Sequence, residues 1–509
     1  MARVVTITGF GLTRAEIVAV ARGAARVRLG EEVAARIESA RRVVAASLAR
    51  GEAVYGLTTG LGANLGHRLA ASEIADFQER ILRGRAAALG PCYPAETVRA
   101  ALLVRANGLA RGGAGASAAC LTGVIGLLNS GISPLVPSLG SIGAADLTPM
   151  AHLMLPLIGE GEVEMAGATM PAAEALRRAG LEKTVLAPKD GLALVNSNGL
   201  SVGHAVLLLE DAAELAELAA LAAALSCEGY RANPSPFLAE VAAARPAPGQ
   251  EEAAAALRRW LAGSALWQPG AARAVQDALS FRCIAPVHGA ALAARDLAAR
   301  AVEAELNAAA DNPLVLLEAG RIVSTGNFHT AALALAFDTL ALALVPVADL
   351  AAGRMMKLMQ PEASGLPKFL TPVGGDRAGF APVQKTIAAL CAECRLRANP
   401  ASLDFTAVAN GVEDHAPQTP LVLRKAEELL AALRRLLAIE LMLAAQAVDL
   451  RTPPPVLGPP LAAAQAAIRA LVPRLDEDRS LGPEIERLAT GSAAVVAAAR
   501  QAVLGSGNG

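Results

Sequence analysis

Apolar residues recur at three- and four-residue intervals over 205–225, 251–261, 285–309, 330–359 and 421–450. Sustained over several turns, that spacing predicts long helices that bury a face, or their whole circumference, against one another. The first two hundred residues break the pattern with YGLTTGLG, ARGGAGAS and GSIGAADLTP, glycine- and proline-rich stretches that read as loops between short helices. Strand signals are few. Residues 3–8 alternate like an edge strand, and 314–324 reads as a hairpin turning at Glu318-Ala319-Gly320-Arg321. After Leu450, the prolines of 452–455 and Gly458-Pro459-Pro460 end the last long helix. The expected organisation is a mainly α chain with a loop-rich segment (1–204), a long-helix bundle (205–452) and a C-terminal helical segment (453–509).

Composition sharpens this picture. The chain has 509 residues, 54% of them hydrophobic and 3% aromatic. Such a chain is too long for one ordinary core, and one poor in rings suits close helix–helix packing. Lys and Arg number 46 against 47 Asp and Glu, a net charge of -1, so no basic face for nucleic acid and no polybasic membrane anchor is expected. Asp338 and Asp349 in one apolar run, and Glu210, Asp211, Glu214 and Glu217 in another, lead us to expect no membrane-spanning stretch. With no targeting pattern in view, the expected location is cytoplasmic.

Six cysteines in a chain of this size do not suggest a disulfide framework, and Cys391 and Cys394, spaced CxxC within a helical run, read as core thiols. His152, His288, His329 and His415 lack metal-ligand spacing, so no metal site is expected.

The chemistry-bearing residues lie in the loops. Tyr55 sits in Tyr55-Gly56-Leu57-Thr58-Thr59-Gly60-Leu61-Gly62, where flanking glycines would let a phenol move over a pocket. Further polar segments follow in order: 140–149, 192–196, 276–283, Glu305-Leu306-Asn307, Asp311-Asn312-Pro313-Leu314, Gly326-Asn327-Phe328-His329, Gly365-Leu366-Pro367 and Glu413-Asp414-His415. Asp146 also reads as a cap for a helix starting near Thr148-Pro149.

From Tyr55 to His415, this ordered series resembles the histidine/phenylalanine/tyrosine ammonia-lyase family. The resemblance implies a mainly α, ammonia-lyase-like (fumarase/aspartase-type) long-helix bundle, assembled as a homotetramer with sites shared between subunits. It also implies catalytic roles for Tyr55 as base, Asn196 and Glu413. Arg282 is implied as the partner of a substrate carboxylate, with Phe328, Arg85, Gly62 and Leu279 beside the substrate. A guanidinium suits that task because its planar fork gives a carboxylate two parallel hydrogen bonds.

The family's electrophile, a methylidene-imidazolone, forms from Ala-Ser-Gly within GASGDL. Here the stretch is Gly143-Ala144-Ala145-Asp146-Leu147, one residue shorter and without the serine whose dehydration supplies the methylidene. Ala144, Ala145 and Asp146 therefore mark a degenerate electrophile position, and no such cofactor is expected. Leu279 also stands where the family usually has a second tyrosine. The sequence leads to an enzyme that binds a carboxylate-bearing small molecule and uses Tyr55 for elimination, addition or cyclisation without the ring. A conventional histidine or aromatic amino acid ammonia-lyase, and a catalytically silent ligand- or partner-binding homologue, are the alternatives.

Overall fold

A computed structural model describes residues 3–64, 66–403 and 405–506. Two compact units emerge, each built from three separate stretches of chain.

The first unit comprises Met1–Leu208, Ala299–Leu335 and Pro400–Arg424. It opens with a parallel pair of strands, Arg3–Ile7 and Ala25–Leu29, joined through the helix Arg14–Ala21. That helix starts where Thr13 and Glu16 cap each other: Thr13 Oγ1 accepts from the Glu16 N–H at 3.3 Å, and the Glu16 carboxylate accepts from the Thr13 N–H at 2.9 Å. The expected hairpin is present as Leu314–Leu316 paired with Arg321–Val323. Val315 packs with Ala40, Val43, Val44, Val54 and Leu57, so the hairpin and the start of the Tyr55 loop share one apolar cluster.

The second unit comprises Leu209–Ala298, Ala336–Asn399 and Lys425–Gly509 and holds most of the length of the long helices. The predicted runs appear as Gly199–Tyr230, Gln250–Trp260, Ile284–Leu306, Ala331–Leu358 and Thr419–Leu450. Small residues let their backbones close up. A Cβ added at Gly229 would lie 2.8 Å from that of Ala447, so the two longest helices approach through glycine and alanine. A buried ion pair crosses this packing. Arg354 donates to Glu440 at 2.6 and 3.0 Å, Ser226 donates to the same carboxylate at 2.8 Å, and Arg354 also reaches the Ser280 carbonyl at 3.0 Å. Cys391 and Cys394 are buried on the helix Val383–Arg397, where burial pushes the Cys394 thiol up to about 12.

One expectation is corrected. By length and composition, Asp190–Tyr230, Ala331–Leu358 and Gly482–Gly505 are long and apolar enough to cross a membrane. Each still holds an 18-residue stretch with at most two charged residues, and that stretch in Asp190–Tyr230 is wholly buried within the protein.

Candidate active site

The degenerate segment is the centre of the first unit's polar construction. Ala144 forms an antiparallel bridge with His329, and the Ala145 N–H donates to the Phe328 carbonyl at 3.3 Å. Ala145 is buried with φ at +54, a left-handed conformation that a side chain tolerates only when its surroundings impose it.

Asp146 is completely buried. Its carboxylate accepts from the Ser201 N–H at 2.8 Å, Ser201 Oγ at 3.0 Å and Ser141 Oγ at 2.7 Å. Burial, partly offset by those hydrogen bonds, raises its pKa above the ordinary carboxylate value. The capping expectation is therefore corrected in its target. Asp146 precedes the helix Leu147–Met154 but makes no side-chain cap to it; the carboxylate instead caps the helix Gly199–Tyr230 through Ser201.

Asn196 ends the short helix Asp190–Val195, and its amide Nδ2 donates to the Asn312 carbonyl at 2.5 Å. Sequence reasoning missed the buried charges that hold this junction. Arg105 pairs with Asp311 at 2.9 Å and also donates to the Ala193 carbonyl, joining the Asn196 helix to the Asp311-Asn312 turn. Lys189 is buried and donates to the carbonyls of Ala114 and Pro313 at 2.6 and 3.0 Å, and burial lowers its pKa to about 8. Asp190 accepts from the N–H and Oγ of Ser117 and the N–H of Ala187, all at 2.7 Å. The available signal was Lys189-Asp190-Gly191, an adjacent opposite-charge pair where an apolar run begins.

The Tyr55 loop rests on that same helix. A Cβ at Gly56 would come within 2.4 Å of Leu192, so glycine permits the contact there. The Tyr55 hydroxyl oxygen accepts from the Gly62 N–H at 2.8 Å, which closes the loop around the phenol. Arg85 is half-buried at the end of the helix Ile74–Arg85 and has no ion pair among the described residues. Its helix is fixed to the Asn196 helix at Gln78, whose Oε1 accepts from the Gly191 N–H at 3.0 Å.

Phe328 and His329 lie on the turn facing Ala144-Ala145, and Glu413 pairs through its backbone with Val408. His329 Nε2 and His415 Nδ1 are 2.9 Å apart, with the rings stacked at 5.0 Å. Contacts thus connect Tyr55, Gly62, Arg85, Ala144, Ala145, Asp146, Asn196, Phe328 and Glu413 within one unit. Arg282 and Leu279 belong to the second unit, on the short helix Leu279–Arg282; Leu279 is 58% exposed, and the Arg282 Nε is buried without a hydrogen-bond partner in its unit. Among the described residues no cluster of His, Cys, Asp and Glu is placed to hold a metal ion.

A family model described as aromatic amino acid lyase matches residues 12–470. The chain belongs to the aromatic amino acid lyase family. A histidine ammonia-lyase of Anaeromyxobacter dehalogenans is 43% identical over 493 residues, covering 94% of this chain and 96% of that protein. Among solved structures, the ergothioneine-degrading enzyme ergothionase of Treponema denticola superposes with a TM-score of 0.93 at 33% identity, covering 98% and 99% of the two chains. Histidine ammonia-lyase of Trypanosoma cruzi superposes with a TM-score of 0.90 at 30% identity, covering 98% and 95%.

These relatives bear out the family, the helical fold and a lyase. They also correct the functional expectation. Ring-free elimination, addition or cyclisation on an unspecified carboxylate gives way to the conventional alternative, because near-full-length identity of this degree is shared with a histidine ammonia-lyase. The residues do not fit the aromatic amino acid lyase family's ring-forming route: Ala144 and Ala145 carry no hydroxyl to eliminate, and the Ala145 amide is engaged as an ordinary peptide donor.

Proposed function

We propose that this chain is a carbon–nitrogen lyase of the histidine ammonia-lyase type. Its substrate would be an imidazole-bearing α-amino acid, which loses its amine and a β-proton to give the α,β-unsaturated acid. The observation that carries this is 43% identity to a histidine ammonia-lyase across 94% of the chain. The placement of Tyr55, Asn196 and Glu413 in one compact unit supports it.

In the proposed reaction Tyr55 takes the β-proton. The electrons of that C–H bond become the new π bond, and the electrons of the carbon–nitrogen bond leave with the amine. Gly62 orients the phenol by donating to its oxygen, Asn196 and Glu413 supply polar contacts, and Arg282 receives the carboxylate. Phe328, Arg85 and Leu279 would border the side chain of the substrate. The working assembly is a cytoplasmic homotetramer with shared sites, a proposal supported by exposed apolar side chains such as Leu342 at 50% and Val275 at 93%.

The methylidene-imidazolone ring is proposed not to form on this chain, since Ala144-Ala145 lacks its serine. The likeness to ergothionase favours a second substrate within the same reaction class. Ergothioneine is a histidine betaine, and its quaternary ammonium is a permanent cation that departs as a neutral tertiary amine.

Purified protein given L-histidine and ergothioneine in separate assays, followed by the ultraviolet absorbance of the conjugated acid, tests both. Turnover of histidine supports the first substrate, and turnover of ergothioneine alone supports the second. Inertness toward both would refute the proposed function. Intact mass checks the ring: a peptide spanning Gly143–Leu147 lighter by two waters would show that it forms after all.

A further inference from the structure

The stretch 408–419 is cross-linked to the residues around Ala144 in two adjacent places. The inner link is fully buried: Thr330 Oγ1 and Thr419 Oγ1 are 2.7 Å apart, and Thr330 donates to the Gly143 carbonyl at 3.1 Å. The Gln418 N–H adds a bond to the Ile142 carbonyl at 2.9 Å. The outer link is the His329–His415 pair, with ring nitrogens at 2.9 Å and ring planes inclined by 27°. Two buried threonine hydroxyls and the Gln418–Ile142 backbone bond already fasten the strap, so the outer imidazole pair is not needed to keep this chain segment folded.

Its position suggests what it adds. His329 is the residue whose backbone bridges to Ala144, and its ring holds His415, two residues beyond Glu413. Glu413 closes a small turn with Val408: the Val408 N–H donates to the Glu413 carbonyl at 2.9 Å, and the Glu413 N–H returns to the Val408 carbonyl at 3.3 Å. Ala409 at the tip of that turn lies beside Gly62, its Cβ 3.9 Å from where a Gly62 Cβ would stand. Gly62 is the residue whose N–H holds the Tyr55 hydroxyl.

We infer that the His329–His415 pair is a positioning device that fixes Glu413 and, through Ala409 against Gly62, the Tyr55 loop in the arrangement needed for turnover. This rests on the proposed lyase function. Neither imidazole needs to touch substrate. Their hydrogen bond has direction and the stacked rings have a fixed plane, so together they set both the distance and the twist of the 408–415 turn. A threonine pair further along the strap sets neither at Glu413. Displacement of a reacting group by about 1 Å costs on the order of a hundredfold in rate, so a small rotation of this turn would register in kcat.

The experiment is a double-mutant cycle on the full-length protein with His329→Ala, His415→Ala and the pair together, plus His415→Asn, whose side-chain amide can occupy the place of Nδ1. Each alanine variant is expected to lose roughly ten- to a hundredfold in kcat with a smaller change in KM and little change in melting temperature. The double variant should be no worse than the weaker single, and His415→Asn should recover most of the loss. Independent, multiplying losses, or an asparagine variant no better than alanine, would overturn the inference. Amide hydrogen exchange over 408–416 without substrate gives a second readout. Faster exchange in His415→Ala than in the parent supports positioning, and unchanged exchange refutes it. Because exchange needs no turnover, a parent protein inert toward histidine and ergothioneine would sink the lyase function while still testing the pair.

Discussion

The Asp146 carboxylate receives three hydrogen bonds in a site closed to water, and each donor would be orphaned by its removal. Asp146→Ala is expected to cost about 2–4 kcal/mol in urea unfolding, from a lost helix cap and unsatisfied buried donors. Asp146→Asn, which keeps one acceptor, should cost less. Tyr55→Phe retains the packing and removes the acceptor that Gly62 meets, so turnover should fall by about 10²–10⁴ while the fold persists. Full activity in that variant would remove Tyr55 from the mechanism. Glu228 behaves differently, because burial raises its pKa from 4.5 to about 7 while Ser264 donates to it. A raised folded-state value means that its contribution to stability is complete below pH 4.5 and is lost as pH rises through about 7. Glu228→Gln should therefore flatten the pH dependence of stability and gain up to about 3 kcal/mol at pH 8, since each tenfold change in proton affinity is worth about 1.4 kcal/mol. Equal pH slopes in the two proteins would contradict this.

Among elements, the helices Ala331–Leu358 and Thr419–Leu450 depend on one interior charge pair. Arg354 and Glu440 are both fully buried, and Ser226 and the Ser280 carbonyl complete their hydrogen bonds. Removing one partner leaves an uncompensated buried charge, so Glu440→Gln should destabilise the second unit by about 3–5 kcal/mol. Replacing both by apolar residues of similar volume should cost much less, and calorimetry distinguishes the two outcomes. The long helices were legible from spacing, since an apolar repeat of 3.6 belongs to the local chain. This ion pair was not, because Arg354 and Glu440 are 86 residues apart and nothing local distinguishes them from surface charges. The same holds for Arg105 and Asp311, separated by 206 residues.

At the scale of the whole molecule, the proposed tetramer predicts a sedimenting mass near four chains of 51.7 kDa, with activity falling on dilution as subunits separate. A monomer with undiminished activity would refute shared sites. The two units are discontinuous in sequence, with Ala299–Leu335 and Pro400–Arg424 joining the N-terminal stretch. By itself the sequence determined the helical class, the hairpin at 314–324, the family resemblance and the absence of the serine at Ala144-Ala145, because each is a property of neighbouring residues. It also marked Tyr55, Asn196, Phe328 and Glu413 as the residues to watch. Tertiary structure alone decided that Asp146 caps a distant helix, that Lys189 is buried among carbonyls, and that His329 meets His415. Those outcomes depend on which groups lose their water and which partners then stand within about 3 Å, conditions set by long-range packing and not encoded by spacing along the chain.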